Sequence, residues 1–559
     1  MHPSVAPDQD VLIPAESQPS LPLDRFLLRE SPDAEAVPLD VLFIGGGPAG
    51  LAGAIELARL ARREAESRNE APSLEIGVLE KAAALGEHCL SGAVVDPAPL
   101  RFLFPDVPEA ELPLRGTVRR ERVYFLTERG KIRVPTPAPM RNHGNHVASV
   151  CEIVRWLGAR AEELGVNVFT GFPADALLMD GKRVAGARTT PAGLDRMGQP
   201  GSGHVPPMDL MARVTVLAEG ARGPLTQAWL AEQGIGSVNP QIFALGVKEL
   251  WQVRNPLRTV VHTLGWPLPR DAFGGSWMYP MGEDLVSVGL VVGLDYRQTS
   301  LDVHDLLQRM KMHPLFRNVL EGGEMMEWGA RTIPEGGYYS LPERLSGDGL
   351  LVAGDAAGFV DVPSLKGIHY AMQSGIFAAR AAFQALRAGD ASREALAPYE
   401  AMIRDSDIVR DLYRRRNMRL AFKHGLAGGG LRAALAMVTG GRIPGRPIAA
   451  REDAAEPRRL THAAPLPTDG TYTFSKMDAV FRSGNATRDD IPSHLLAPER
   501  APEELARLYA HLCPAGVYEW GEGRLVVNAP NCIDCRATDV LGPRWTPREG
   551  GSGPSYKRM

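Results

Sequence analysis

Short apolar runs that stop at small residues recur along the chain. Val41 to Ile44, Val214 to Leu217 and Leu350 to Ala353 lack the alternation of a half-exposed strand, so they predict strands covered on both faces, as in a parallel sheet. Leu74 to Leu79 is a further strand, ending in Glu80. Helical spacing runs through Ser149 to Leu164 and Tyr370 to Leu386, and a strand, Val166 to Thr170, follows the first of these. Residues 115 to 135 alternate polar and apolar around Glu128-Arg129-Gly130-Lys131, a hairpin signal. Between residues 240 and 300 the pattern changes. Phe243 to Val247, Val260 to Thr263, Ser276 to Tyr279 and Leu285 to Val292 are short, β-rich and separated by turn residues, which predicts an inserted antiparallel sheet.

The first strand runs into Gly45, Gly47 and Gly50 at the spacing G-x-G-x-x-G, ahead of an alanine-rich helix. Gly45 permits a tight turn, Gly47 lets the backbone approach a pyrophosphate, and Gly50 allows the helix to pack close to the strand. The helix N-terminus offers unpaired N–H groups to phosphate oxygens. Glu80 is placed to accept hydrogen bonds from adenosine ribose hydroxyls, at a separation longer than the usual ~20 residues. A second strand-and-glycine unit, Gly349 to Gly358, sets Gly354 and Asp355 toward a ribityl or ribose hydroxyl. Lys366 and Gly367 then lead into a long helix whose first N–H groups would face the flavin ring edge. Two separated motifs of this kind point to FAD rather than NAD.

At 559 residues the chain is too long for one core and predicts several modules. A net charge of −4 with 44% hydrophobic residues argues against a nucleic-acid binder. Residues 1–38, rich in Pro, Ser and acids, read as a flexible arm without the features of a signal peptide. No apolar run reaches the ~18 residues of a spanning helix. The segment Phe422 to Val438, preceded by the cationic stretch Arg410 to Arg419, suits a helix lying in a membrane interface or a packed helix. His88 and His143 read as packing or surface residues. Three of the five cysteines, Cys513, Cys532 and Cys535, crowd into the C-terminal region, and a Cys-Pro followed by C-x-x-C is a ferredoxin-like cluster signature.

From Asp40 onward the chain resembles the electron-transfer flavoprotein:ubiquinone oxidoreductases. GGGPAG, EKAAALGEHCLSGA, KELW, GWPL, GLVVGLDY, GDAAGF, KGIHYAMQSG, CPAGVYE and NCIDC occur in that family's order. The resemblance implies an α/β and α+β architecture: a Rossmann-type, glutathione-reductase-like FAD domain (39–239 and 333–445), an inserted β-rich ubiquinone domain (240–332), a linker (446–475) and a ferredoxin-like iron–sulfur domain (476–559). It implies FAD and a [4Fe–4S] cluster as cofactors, Cys513, Cys532 and Cys535 as metal ligands, and Gly274 and Gly275 against the quinone carbonyl. Leu85 to Asp106 and Phe422 to Gly441 match the family's membrane plateau. The implied enzyme is a monomer that takes electrons from electron-transfer flavoprotein and reduces ubiquinone. It would sit monotopically on an inner membrane, on the cytoplasmic side in a bacterium or the matrix side in a mitochondrion.

Three positions depart from the family pattern. Thr538 stands where a further cluster cysteine is usual, which admits a [3Fe–4S] centre, or a fourth iron held by water, Asp534 or Asp539. Pro334 replaces the Asn of Asn-Glu-Gly-Gly, and Ile368 the Thr of Lys-Gly-Thr-His, changes expected to shift the flavin potential. Two rival readings remain on sequence: an FAD-dependent isoprenoid-lipid reductase or hydroxylase, and a redox adaptor with a degenerate cluster.

Overall fold

A computed structural model describes residues 11–92, 94–282, 284–424, 426–440, 442–443 and 445–559. The first ten residues of the predicted arm, and Gly425 and Gly441 of the predicted interfacial segment, lie outside the described residues. Two large sheets organise the rest.

In the first sheet, Asn167–Thr170, Ile76–Glu80, Val37–Ile44 and Asp209–Leu217 lie side by side and parallel, and Leu350–Val352 pairs parallel with the far end of Asp209–Leu217. Helices Pro48–Arg68 and Ile368–Arg387 pack against each other beside it, so the two glycine motifs open at the same edge. Val41, Leu42 and Phe43 are fully buried, which is why the sequence shows no alternation there.

The second sheet runs Glu324–Pro334, Phe243–Gln252, Leu285–Gly293, Gly274–Pro280, Val260–Gly265, Glu121–Leu126 and Lys131–Val134. It is antiparallel except where Val260–Gly265 meets Glu121–Leu126. The hairpin of residues 121–134 therefore belongs to this sheet although it precedes the insertion by more than a hundred residues. Its tight turn is legible locally; its partner strand is not.

The segment expected to be flexible is packed. Within the predicted arm, Val11–Leu12 pairs with Arg458–Arg459, Leu27–Leu28 adds to the first sheet, and Phe26 is fully buried. The flexible-arm expectation fails for residues 11–38 because these short apolar pairs find sheet edges and a core. The 446–475 linker is held to the second sheet's insertion. Arg458, fully buried in it, donates to the carbonyls of Tyr296 (2.5 Å) and Leu294 (2.6 Å).

Candidate redox site

The turn after Val37–Ile44 behaves as its glycines demand. Gly45 has φ +115°, and a Cβ there would strike the carbonyl of Ala218; a Cβ at Gly50 would strike the carbonyl of Gly45. Gly47 differs, since a Cβ on it would meet nothing within 4 Å. It faces a cavity of about 800 Å³ that runs from Gly45, Gly47 and Glu80 past Asp355, Lys366 and Gly367 to Gly274 and Gly275.

Glu80 accepts from the Gly46 N–H (3.0 Å) and the Ala82 N–H (2.9 Å), which fixes its carboxylate at the cavity wall. Gly354 donates its N–H to Ser374 Oγ (2.9 Å). Among the described residues the Asp355 carboxylate makes no hydrogen bond, and burial pushes its pKa up to about 6. A half-buried acid facing a cavity without a donor suits a hydroxyl-bearing ligand. Lys366 donates to the Ser364 carbonyl (3.1 Å), and burial lowers its pKa to about 8. Gly367 is the N-cap of the helix Ile368–Arg387, so the N–H groups of that helix start at the cavity. The open face of Gly47, the fixed Glu80 and the unpartnered Asp355 fit the phosphate, ribose and ribityl groups of FAD.

Gly274 and Gly275 line the other end but do not form a simple slot. A Cβ on Gly274 would strike the Val291 carbonyl, and one on Gly275 would come within 2.7 Å of the Thr263 carbonyl. Both glycines let neighbouring strands close up while their backbone meets the cavity. Beside them Tyr279 Oη and His262 Nδ1 are 3.1 Å apart, and burial lowers the His262 pKa to about 3. Nothing in the sequence singled out that pair. Pro334 ends the strand Glu324–Pro334, and Ile368 begins the helix at the cavity wall.

The cavity's flank carries the cysteines. Cys513, Cys532 and Cys535 are all buried, and each thiol is cradled by backbone donors: Ala515 and Val517 at Cys513, Asp534 at Cys532, Ala537 at Cys535. The loop makes these bonds by placing Asp534 (φ +55°) and Arg536 (φ +68°) in the left-handed region. Burial raises all three thiols, Cys532 to about 12, and charge on Cys513 and Cys532 adds to the rise at Cys535. Three converging thiols that ionise only with a metal to stabilise them fit an iron–sulfur cluster.

The link between the two regions is a buried charge network that sequence reasoning missed. Lys81, one residue past Glu80, pairs with Asp534 in the C-x-x-C loop. The same carboxylate accepts from Arg548 Nη2 and Trp545 Nε1, each at 3.0 Å. Burial alone would raise Asp534, but Arg548 and Lys81 outweigh it and hold the carboxyl well below its usual range. Lys81 itself is lowered to about 8, chiefly by burial. His88 joins the network, with Nδ1 2.5 Å from Lys81 Nζ, in keeping with a packing role; His143 is exposed. The cluster loop is also fastened to the second sheet: Thr332 N–H donates to the Cys535 carbonyl (2.9 Å) and Arg331 Nη1 to the Asp534 carbonyl (3.1 Å).

At the cavity mouth lies the helix Leu426–Val438. Gly430, Ala433 and Ala434 line the cavity, while Leu431 (75% exposed) and Val438 (85%) point to solvent. Among the described residues of the predicted plateau half Leu85 to Asp106, only Phe102 is a large exposed apolar side chain; Leu100 and Leu103 are core. Among the described residues no helix is long and apolar enough to cross a membrane.

Two family models match this chain. One, described as ETF-QO, ubiquinone-binding, covers residues 243–333; the other, described as electron transfer flavoprotein-ubiquinone oxidoreductase, 4Fe-4S, covers 470–557. A Dictyostelium discoideum protein named electron transfer flavoprotein-ubiquinone oxidoreductase, mitochondrial, is 37% identical, the match covering 95% of this chain and 92% of that protein. The Homo sapiens protein of the same name is 36% identical over 93% of this chain and 89% of its own length. Among solved structures, a geranylgeranyl bacteriochlorophyll reductase-like protein from Thermoplasma acidophilum shares the fold (TM-score 0.56, 20% identity) over 72% of this chain and 92% of that one. The chain belongs to the electron transfer flavoprotein-ubiquinone oxidoreductase family.

Proposed function

We propose that this enzyme accepts electrons from reduced electron-transfer flavoprotein and delivers them to ubiquinone through FAD and an iron–sulfur cluster. The observation that carries the reading is the Lys81–Asp534 pair, which joins the wall of the flavin cavity to the loop of Cys532 and Cys535. When bound, the flavin supplies storage for an electron pair and the cluster supplies single-electron transfer.

The chain's own residues position these groups. Gly45, Gly47 and Gly50 open the turn for the pyrophosphate, Glu80 orients the ribose, and Gly354 and Asp355 hold the ribityl chain. Lys366 and Gly367 bring a cation and a helix N-terminus to the ring edge, where they favour negative charge. Cys513, Cys532 and Cys535 hold the cluster, a donor set that favours a [3Fe–4S] form. The quinone head lies at Gly274 and Gly275, near the Tyr279–His262 pair. Its isoprenoid tail leaves past Gly430 and Ala433 into a membrane surface on which Leu431, Leu435 and Val438 rest, the protein acting as a monotopic monomer.

An isoprenoid-lipid reductase would have no use for three buried thiols beside its flavin. The test is anaerobic turnover with reduced electron-transfer flavoprotein and a short-chain ubiquinone analogue, with an isoprenoid lipid as the competing acceptor. Reduction of the quinone and not of the lipid is expected; the reverse pattern would refute the assignment.

A further inference from the structure

The C-terminal module holds three thiols, and the other two cysteines of the chain lie elsewhere: Cys151 donates its S–H to the Cys89 carbonyl (3.0 Å), and Cys89 lines the flavin cavity. The helix Ala537–Leu541 that follows the C-x-x-C loop carries Thr538, whose Oγ1 lies 3.3 Å from Tyr518 Oη. Tyr518 is fully buried and close enough to Cys513, Cys532 and Cys535 for all three to perturb its phenol. Two paired hydroxyls thus stand at the position, three residues past Cys535, where the family pattern sets a further cysteine. Neither is a good iron ligand while protonated.

The carboxylates near this position are committed. Asp534 accepts from Arg548, Trp545 and Lys81. Asp539 accepts from Arg222 Nε (3.0 Å) and the Trp545 N–H (3.0 Å). Turning Asp534 toward iron would strand the buried Arg548 guanidinium, and turning Asp539 would break the bonds from Arg222 and Trp545 that hold it. His494 is 2% exposed, and neither ring nitrogen has a partner among the described residues. It lies within 4.8 Å of Cys532 and Asp534, which makes it the rival ligand that the His494→Ala variant below tests.

Building on the proposed cluster, we infer that the corner beside Thr538 and Tyr518 is an exchangeable metal position: Cys513, Cys532 and Cys535 retain three irons permanently, and a fourth binds there without a protein thiolate. The electrons balance in both directions. One electron passes from the four-iron core to a ferricyanide oxidant, the corner iron leaves as ferrous ion, and the three-iron core remains. Dithionite returns one electron to that core, and added ferrous ion rebuilds the corner.

The experiment is iron and sulfide analysis with electron paramagnetic resonance of the FAD-loaded full chain, purified without air and then treated with ferricyanide. The oxidised wild type is expected to show a three-iron signal amounting to most of the chains. Dithionite with ferrous ion should remove that signal, and the product should show a four-iron signal on further reduction. Thr538→Cys should lose the oxidised signal at least tenfold and give a four-iron signal without added iron. His494→Ala is expected to behave as wild type. A wild-type four-iron centre that resists ferricyanide would overturn the inference, and its loss in His494→Ala would assign the corner to that imidazole instead. Protein that takes up no iron after reconstitution with iron and sulfide would instead bring down the proposed cluster itself.

Discussion

Asp534→Asn probes the joint between flavin and cluster. The carboxylate is 2% exposed and its partners Arg548 and Lys81 are 4% and 22% exposed, so the substitution leaves two cations facing a neutral amide in a nearly dry site. Arg548 cannot shed its proton. Lys81 can, since its pKa is already lowered to about 8, and this limits its share of the cost. Removing one partner of a buried pair typically costs 3–5 kcal/mol, and an Asn oxygen that still accepts from Trp545 puts this case near ~3 kcal/mol. Hydrogen exchange by mass spectrometry localises the effect: amides in peptides spanning Cys532 to Arg536 should open about a hundredfold more often at pH 7. The pH dependence has a definite sign. Lys81 titrates lower folded (about 8) than unfolded (~10.4), so its burial penalty is present below pH 8 and is relieved as pH rises through that window. Asp534 raises the Lys81 pKa, so in Asp534→Asn Lys81 titrates lower still, and its share of the penalty should shrink as pH rises toward about 8 and be constant above it. Exchange within threefold of wild type at pH 7 would refute the claim that this network holds the cluster loop in place.

Three further outcomes follow from the geometry. Gly47→Val should give a folded protein that purifies without FAD, because its side chain enters the cavity rather than the core; Gly50→Val should lower the melting temperature of the cofactor-free protein as well, by driving the helix off Gly45. Asp355→Asn should weaken FAD binding ~10-fold or more in a fluorescence titration, as expected for loss of a charge-assisted hydrogen bond. In wild type the raised Asp355 pKa makes the cofactor-free protein lose stability as pH rises from about 4 through about 6, while FAD affinity falls as pH drops below about 6. Leu431→Asp with Leu435→Asp should cut partition onto phospholipid vesicles by more than ~10-fold while turnover with a soluble quinone analogue persists, since both side chains are exposed (75% and 45%).

The nucleotide turn, Glu80, the second glycine strand and the cysteine module were all legible because each is a local pattern: a buried strand, glycines at fixed offsets, thiols on a short loop. The sheet insertion was visible through its β-rich runs, but the membership of Glu121–Val134 was not, since pairing with Val260–Gly265 spans well over a hundred residues. Composition misread residues 11–38 as loose. Their Pro and Ser content was real, yet Phe26 is a core residue and Val11–Leu12 pairs with strand residues far along the chain. Trp545 and Arg548 carry no motif, and Lys81 lies in EKAAALGEHCLSGA without standing out from its neighbours. Their role comes from convergence on Asp534, which no spacing in one sequence reveals.

The central claim is that electrons pass between a flavin and sulfur-bound iron within this one polypeptide on the way to a quinone. It is tested most directly by rapid freeze-quench of the holoenzyme mixed with reduced electron-transfer flavoprotein and a ubiquinone analogue, reading flavin absorbance and the cluster's paramagnetic signal in the same samples. The account predicts that both centres change redox state within a single turnover and return as quinol forms. Quinol formed at full rate while the cluster signal stays constant, or by protein that contains FAD but no iron, would contradict it.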